Sequence, residues 1–221
     1  MFLSLLCSRR RCLPWRGRRV LHLGFIVLAA TPLFDQSAHG QRIYDGPALS
    51  FSTLELGWER RSFDDPFLGD ADGIHAAFSF APIPILYFAG DFRYASSEDF
   101  LRSDEDIDFL DARLGVGARF TLLGFLAPYI EGGAVYGQLD RPGSRDGYDG
   151  VGFYVEPGLK LGLFGRLEAS VAGEMTVLDD TTFFGGKAGL MLGITDHFGI
   201  GVDAGISEHS DYFGVGVRFS W

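Results

Sequence analysis

Nine carboxylates and six cationic side chains recur along the alternating apolar and polar stretches of this chain: Glu55, Glu59, Asp91, Asp111, Glu131, Glu156, Glu168, Glu174 and Asp203, with Arg93, Arg113, Arg119, Lys160, Lys187 and Arg218. Gathered on one enclosed surface, charges this close to balance pair with each other, and carboxylates left over would draw cations. The chemistry on offer is therefore a salt-bridged filling or a narrow cation path. Two acidic stretches stand apart: Asp64, Asp65, Asp70 and Asp72, then Glu98, Asp99, Asp104, Glu105 and Asp106. Oxygen ligands at this density suit Ca²⁺ or Mg²⁺, but Asp70-Ala71-Asp72-Gly73 only begins like a calcium loop and lacks the distal glutamate. They read as solvated loops, and no metal site or cofactor is expected. Glu208-His209-Ser210 offers a base and a nucleophile, but neighbours in a turn point in different directions. His75 reads as hydrogen-bonded to a carboxylate rather than as a catalytic base. No nucleotide loop, zinc spacing or basic patch occurs, so neither an enzyme nor a nucleic-acid partner is expected.

The elements that carry these charges have period two. Alternation predicts strands over Ser50–Arg61, Gly73–Ala81, Leu86–Tyr94, Ile107–Thr121, Pro128–Leu139, Val151–Leu163, Arg166–Leu178, Phe183–Ile194, Gly199–Ser207 and Tyr212–Trp221. In each, one face is apolar, as with Leu110, Ala112, Leu114, Val116, Ala118 and Phe120. The other carries the charges interspersed with many of the 31 glycines, which leave room for long side chains crossing a narrow interior. The fold expected is all-β, an antiparallel up-and-down barrel of about ten strands that crosses a membrane, with eight strands as the alternative. Strands of roughly ten residues match a tilted crossing. Aromatics lie toward the strand ends of the apolar face: Trp58, Tyr94, Tyr136, Phe153, Phe184 and Phe213 at one end, Phe120, Phe219 and Trp221 at the other. That distribution matches two interfacial girdles. A soluble barrel also alternates, but would carry more surface lysine than Lys160 and Lys187. Connections alternate short and long up to the last two loops, Asp179–Thr182 and Glu208–Asp211, which are themselves small; this places both termini on the periplasmic side.

In the last strand Phe213, Val215, Val217, Phe219 and Trp221 alternate with Tyr212, Gly214, Gly216, Arg218 and Ser220. A terminal strand ending on an aromatic resembles the C-terminal signal of bacterial outer-membrane β-barrel proteins, which implies the barrel-assembly machinery and outer-membrane lipid as partners. At the other end, arginines at 9–11, 16, 18 and 19 precede an apolar run broken by His22 and Pro32, followed by Ala38-His39-Gly40. This reads as a signal peptide cleaved after Gly40, since a spanning helix needs roughly 18 or more apolar residues. The domain division is then 1–40 signal peptide, 41–49 short periplasmic segment and 50–221 barrel. Cleavage would remove Cys7 and Cys12, neither of which sits in a lipoprotein box, so no disulfide or lipid anchor is expected. It would also remove six of 19 basic residues and one of 29 acidic ones, leaving 13 against 28. Such acidity disfavours nucleic acid and anionic head groups.

Residues 50–221 resemble in pattern the small OmpA-type and OmpW-type barrels. No peptidoglycan-binding domain of the kind that follows the OmpA barrel is expected after Trp221. The His-x-Ser-Asn arrangement of lipid A deacylase barrels and the Asp-x-His of omptin proteases are not reproduced. The functional expectation is a structural barrel or a narrow, cation-selective passive channel passing small ions. The alternatives are a surface interaction or adhesion protein that uses its acidic loops, and, last, an outer-membrane hydrolase.

Overall fold

The computed structural model describes residues 49–63, 70–97, 107–140, 148–163, 165–208 and 210–221. The expected signal peptide, the segment before Leu49 and most of the long connections lie outside the described residues. Ten strands form: β1 (Thr53–Phe63), β2 (Asp70–Phe80), β3 (Leu86–Ser97), β4 (Ile107–Arg119), β5 (Leu126–Asp140), β6 (Tyr148–Gly162), β7 (Leu167–Leu178), β8 (Thr181–Gly193), β9 (Phe198–Ser207) and β10 (Ser210–Ser220). Each pairs antiparallel with its neighbours in sequence, and β10 pairs with β1, closing the barrel without a free edge. Ten strands, not eight, are therefore present.

Closure demands a stagger. Following registered partners from Leu54 at the start of β1 leads through Phe78, Gly90, Leu114, Ala134, Phe153 and Val177 to Thr182, at the opposite end of the barrel. The strands are thus steeply tilted, by about 35–45° for barrels of this kind. Register also keeps the two faces in phase all the way round, because every partner of an outward residue is itself outward. At the seam Leu54 meets Phe219 and Trp58 meets Val215, apolar against apolar.

The outward face is a continuous apolar belt. Leu114 is 64 % exposed, Val171 52 % and Ile130 53 %, levels that water-facing strands of a soluble barrel would not carry in an unbroken ring. With the strand tilt included, Trp58, Tyr94, Tyr136, Phe153, Phe184 and Phe213 come to about one height near the long connections. Phe120, Phe198, Phe219 and Trp221 mark the other rim. Charges on the outward face begin only beyond the first girdle, where Arg60 pairs with Asp70 at 2.8 Å and the Tyr94 hydroxyl donates to Asp108.

Several boundaries differ from the alternation reading: β1 starts at Thr53, β3 runs on to Ser97, and β5, β6, β8 and β10 begin earlier, at Leu126, Tyr148, Thr181 and Ser210. β1 continues to Phe63 and β2 starts at Asp70, so Asp70 and Asp72 are strand residues, held by the ladder Ser62 to Asp70 and by the Arg60 pair. The Asp179-Asp180 connection is a two-residue turn with Asp179 left-handed at φ 49°. Pro157 interrupts the β6–β7 ladder, where Glu156 and Pro157 have no registered partner, as its missing N–H requires.

Candidate functional site

The fifteen charged residues singled out above all belong to the inward set of their strands, and Arg61 joins them. Strand parity alone would have found Arg61, since it continues the series Glu55, Gly57, Glu59 in β1. Most are tied into four groups of ion pairs. Glu59 is wholly buried and receives Arg61 Nη2 at 3.0 Å and Arg93 Nη1 at 3.2 Å, while Arg93 Nε also reaches Asp91 at 3.0 Å. Arg113 grips Asp111 with both Nε at 2.7 Å and Nη2 at 3.0 Å, and meets Glu174, whose other oxygen takes the Thr176 hydroxyl. Arg218 joins Glu55 and Glu168, each at 2.7 Å, across strands far apart in sequence, with Lys160 Nζ 3.8 Å from Glu168. Lys187 Nζ lies 2.7 Å from Glu156.

Tyrosines complete the hydrogen bonding. The Tyr129 hydroxyl donates to Glu156 at 3.0 Å and that of Tyr154 to Glu131 at 2.7 Å. These rings fit because glycines lie beneath them: a Cβ on Gly117 would come within 2.1 Å of the Tyr87 ring, and one on Gly158 within 2.2 Å of Tyr129. Asp203 lies against Gly214 and has no ion-pair partner among the described residues. His75 packs over Gly57 and is 7 % exposed, but its Nδ1 has no hydrogen-bond partner, so the expected bond to a carboxylate is not made at that nitrogen. Gly57 offers no side chain to accept it. Among the described residues Glu168 Oε2 is the other buried side-chain atom without a hydrogen-bond partner.

Both ends of the interior are apolar, a feature the charge pattern did not reveal. Near the short turns, Phe51, which precedes β1, is 3 % exposed and packs on Tyr87 and Tyr129 at ring separations of 5.1 and 6.1 Å, with Ala89 and Ala127 alongside. Arg119 lies over the Phe51 ring at 4.3 Å and Lys160 Nζ at 4.5 Å. Arg119 also donates to the carbonyls of Pro84 and Leu49, so it ties the lead-in segment to the mouth rather than joining the ion pairs. Near the long connections, Phe63, Ala71, Ala95, Phe109 and Leu139 form one buried cluster, and Val135, Tyr154 and Leu178 another, with Phe183 against it. Arg61 stacks over Phe109 at 4.0 Å and donates to the Ser210 hydroxyl. Between these layers lies a cavity of about 280 Å³.

Among the described residues no three or more His, Cys, Asp or Glu side chains converge on a metal position. The second acidic stretch and His209 lie outside the described residues, and Ser210 is occupied by Arg61 and Ser207. Phe213, Val215, Val217 and Phe219 face outward on the closing strand, and the Trp221 amide donates to the Ser52 carbonyl.

No family model matches the chain, and no curated protein matches it. Among solved structures it is similar to the N-terminal β-barrel domain of Pseudomonas aeruginosa OprF at 14 % identity and TM-score 0.40, covering 78 % of this chain and 99 % of that one. Ail, the attachment invasion locus protein of Yersinia pestis, is similar at 16 % identity and TM-score 0.40, over 76 % and 97 % of the two chains. The β domain of the Bordetella autotransporter BrkA is similar at 10 % identity and TM-score 0.46, over 78 % and 100 %. Likenesses this remote add nothing to the architecture, which rests on the strand pairing of this chain: a closed, ten-stranded antiparallel β-barrel.

Proposed function

We propose that this protein is an outer-membrane β-barrel held shut by its own side chains, a structural barrel and mount for its loops rather than an open pore. The observation that carries this reading is the paired filling of the lumen between two apolar end clusters. Among the described residues seven inward cations face nine inward carboxylates, and six of those cations are bound to carboxylates within the interior. Such lattices stiffen a barrel of this width, which is only slightly wider than the eight-stranded size that side chains fill. An ion entering would have to displace Phe51 at one end and the Phe63–Phe109 cluster at the other. The apolar belt and its girdles support membrane residence. The arginine-rich leader and the short and long connections support export and periplasmic termini.

Vesicles loaded with a potassium-sensitive dye test the closed state. Wild-type barrel and Phe51→Gly alone should leave them tight, whereas Phe51→Gly combined with Phe63→Gly and Phe109→Gly should admit potassium; rapid leak through wild-type barrels would reject the reading.

A further inference from the structure

The connections at the short-turn end are of two kinds. On the β6 to β9 side the turns are mixed: Ile194 is 48 % exposed, but beside it Arg166 and Asp196 pair at 2.8 Å in the open. On the β2 to β5 side they are apolar and bare: Ile83 is 49 % exposed, Ile85 51 %, Leu122 49 %, Leu123 79 % and Phe125 38 %. The two apolar turns adjoin, since the Arg119 amide donates to the Ile85 carbonyl and its guanidinium to that of Pro84. They also run without a break into the belt through Leu86, Phe88 and Phe120.

The backbone supplies an independent sign. Leu122 and Leu126 bridge across the β4–β5 turn, and Leu123 at its tip is left-handed, with φ 54°, ahead of Gly124 at φ 77°. That conformation is the province of glycine, asparagine and aspartate, because a Cβ crowds the backbone there. Asp179 and Gly165 obey the rule at their own turns; Leu123 breaks it. A leucine standing 79 % exposed at this tip, against its local backbone preference, points to a role for the exposed apolar surface itself.

We propose that the β2–β3 and β4–β5 turns are immersed in the lipid leaflet at the short-turn end, so that the barrel's lipid-contacting surface reaches deeper on that side than on the β6 to β9 side. Acyl chains and the glycerol region are the occupant that continuity with the belt selects. This rests on the membrane reading above.

The test uses single cysteines, each carrying an environment-sensitive fluorophore, in a full-length chain with Cys7→Ser and Cys12→Ser. Leu123→Cys probes the tip, Asp196→Cys the polar turn, and Leu114→Cys the middle of the belt. The proteins are folded into phosphatidylcholine vesicles whose acyl chains are brominated near the carbonyl, and heat-modifiable gel mobility verifies each barrel. The label at 123 should be quenched at least half as strongly as that at 114, and the label at 196 hardly at all. Quenching at 114 without quenching at 123 would overturn the proposal and leave the membrane reading intact. No quenching at 114 would overturn both. A label at 123 shielded from aqueous iodide yet unquenched by bromolipid would mean that protein, not lipid, covers the tip, and would also overturn it.

Discussion

Replacing Glu59 with alanine should destabilise the barrel more than any other single change in the lumen. Glu59 is wholly buried and neutralises two guanidinium groups at once, Arg61 at 3.0 Å and Arg93 at 3.2 Å. Breaking a buried pair by removing one partner costs about 3–5 kcal/mol, because the remaining charge stays buried and uncompensated. Both cations here keep second anchors: Arg93 retains Asp91 and the face of Tyr212 at 4.4 Å, and Arg61 retains Ser210 and Phe109. The loss should therefore fall near the lower end, about 3 kcal/mol, or on the order of 100-fold in the folding equilibrium. Denaturant titration of tryptophan emission in detergent micelles or lipid vesicles reads this directly. Glu59→Gln, which keeps the shape and removes the charge, separates electrostatics from packing. A double-mutant cycle with Arg93→Ala should return a coupling of about 0.5–3 kcal/mol. If Glu59→Ala and Glu59→Gln both stay within about 0.5 kcal/mol of wild type, the pair is behaving as a solvated one, and the interlocked interior inferred from the geometry is refuted.

Three further outcomes follow. Gly117→Ala places a Cβ within 2.1 Å of the Tyr87 ring, so it should lower stability by about 1–3 kcal/mol, and Gly117→Ala combined with Tyr87→Ala should recover part of that loss in the same titration. Leu114→Arg, at a belt position 64 % exposed, should cost about 2–4 kcal/mol in lipid vesicles; a neutral result would deny that this face meets hydrocarbon. In intact cells a cysteine at Asp180, in the β7–β8 turn, should react with a membrane-impermeant maleimide and one at Arg166, in the β6–β7 turn, should not; the opposite pattern would invert the orientation.

Much of the barrel was legible because a strand's period of two is local and needs no knowledge of its partners. Leu110 through Phe120 reads as one lipid-facing row from spacing alone, and the register from β1 to β10 then keeps every such row outward. Strand ends were less legible, since Asp70 and Asp72 look like loop residues until Arg60 and the β1 ladder hold them. Which charges share the lumen was legible by parity; which carboxylate each arginine selects was not. Arg218 joins Glu55 and Glu168 from positions 163 and 50 residues away, the first because closure registers β10 against β1 and the second by reaching across the lumen. The aromatic end layers were hidden for the same reason. Tyr87 and Tyr129 sit on the polar face of different strands, and only closure brings them to Phe51, a residue that precedes the first strand and carries no alternation signal of its own.

Whether the lumen is shut is most directly settled by planar-bilayer recording of the wild-type chain, with insertion verified on the same preparation. A silent bilayer that acquires discrete steps only when Phe51, Phe63 and Phe109 are all replaced by glycine is the expected result. Discrete, cation-selective steps from the wild-type barrel would contradict it and establish instead a conducting path lined by the surplus carboxylates.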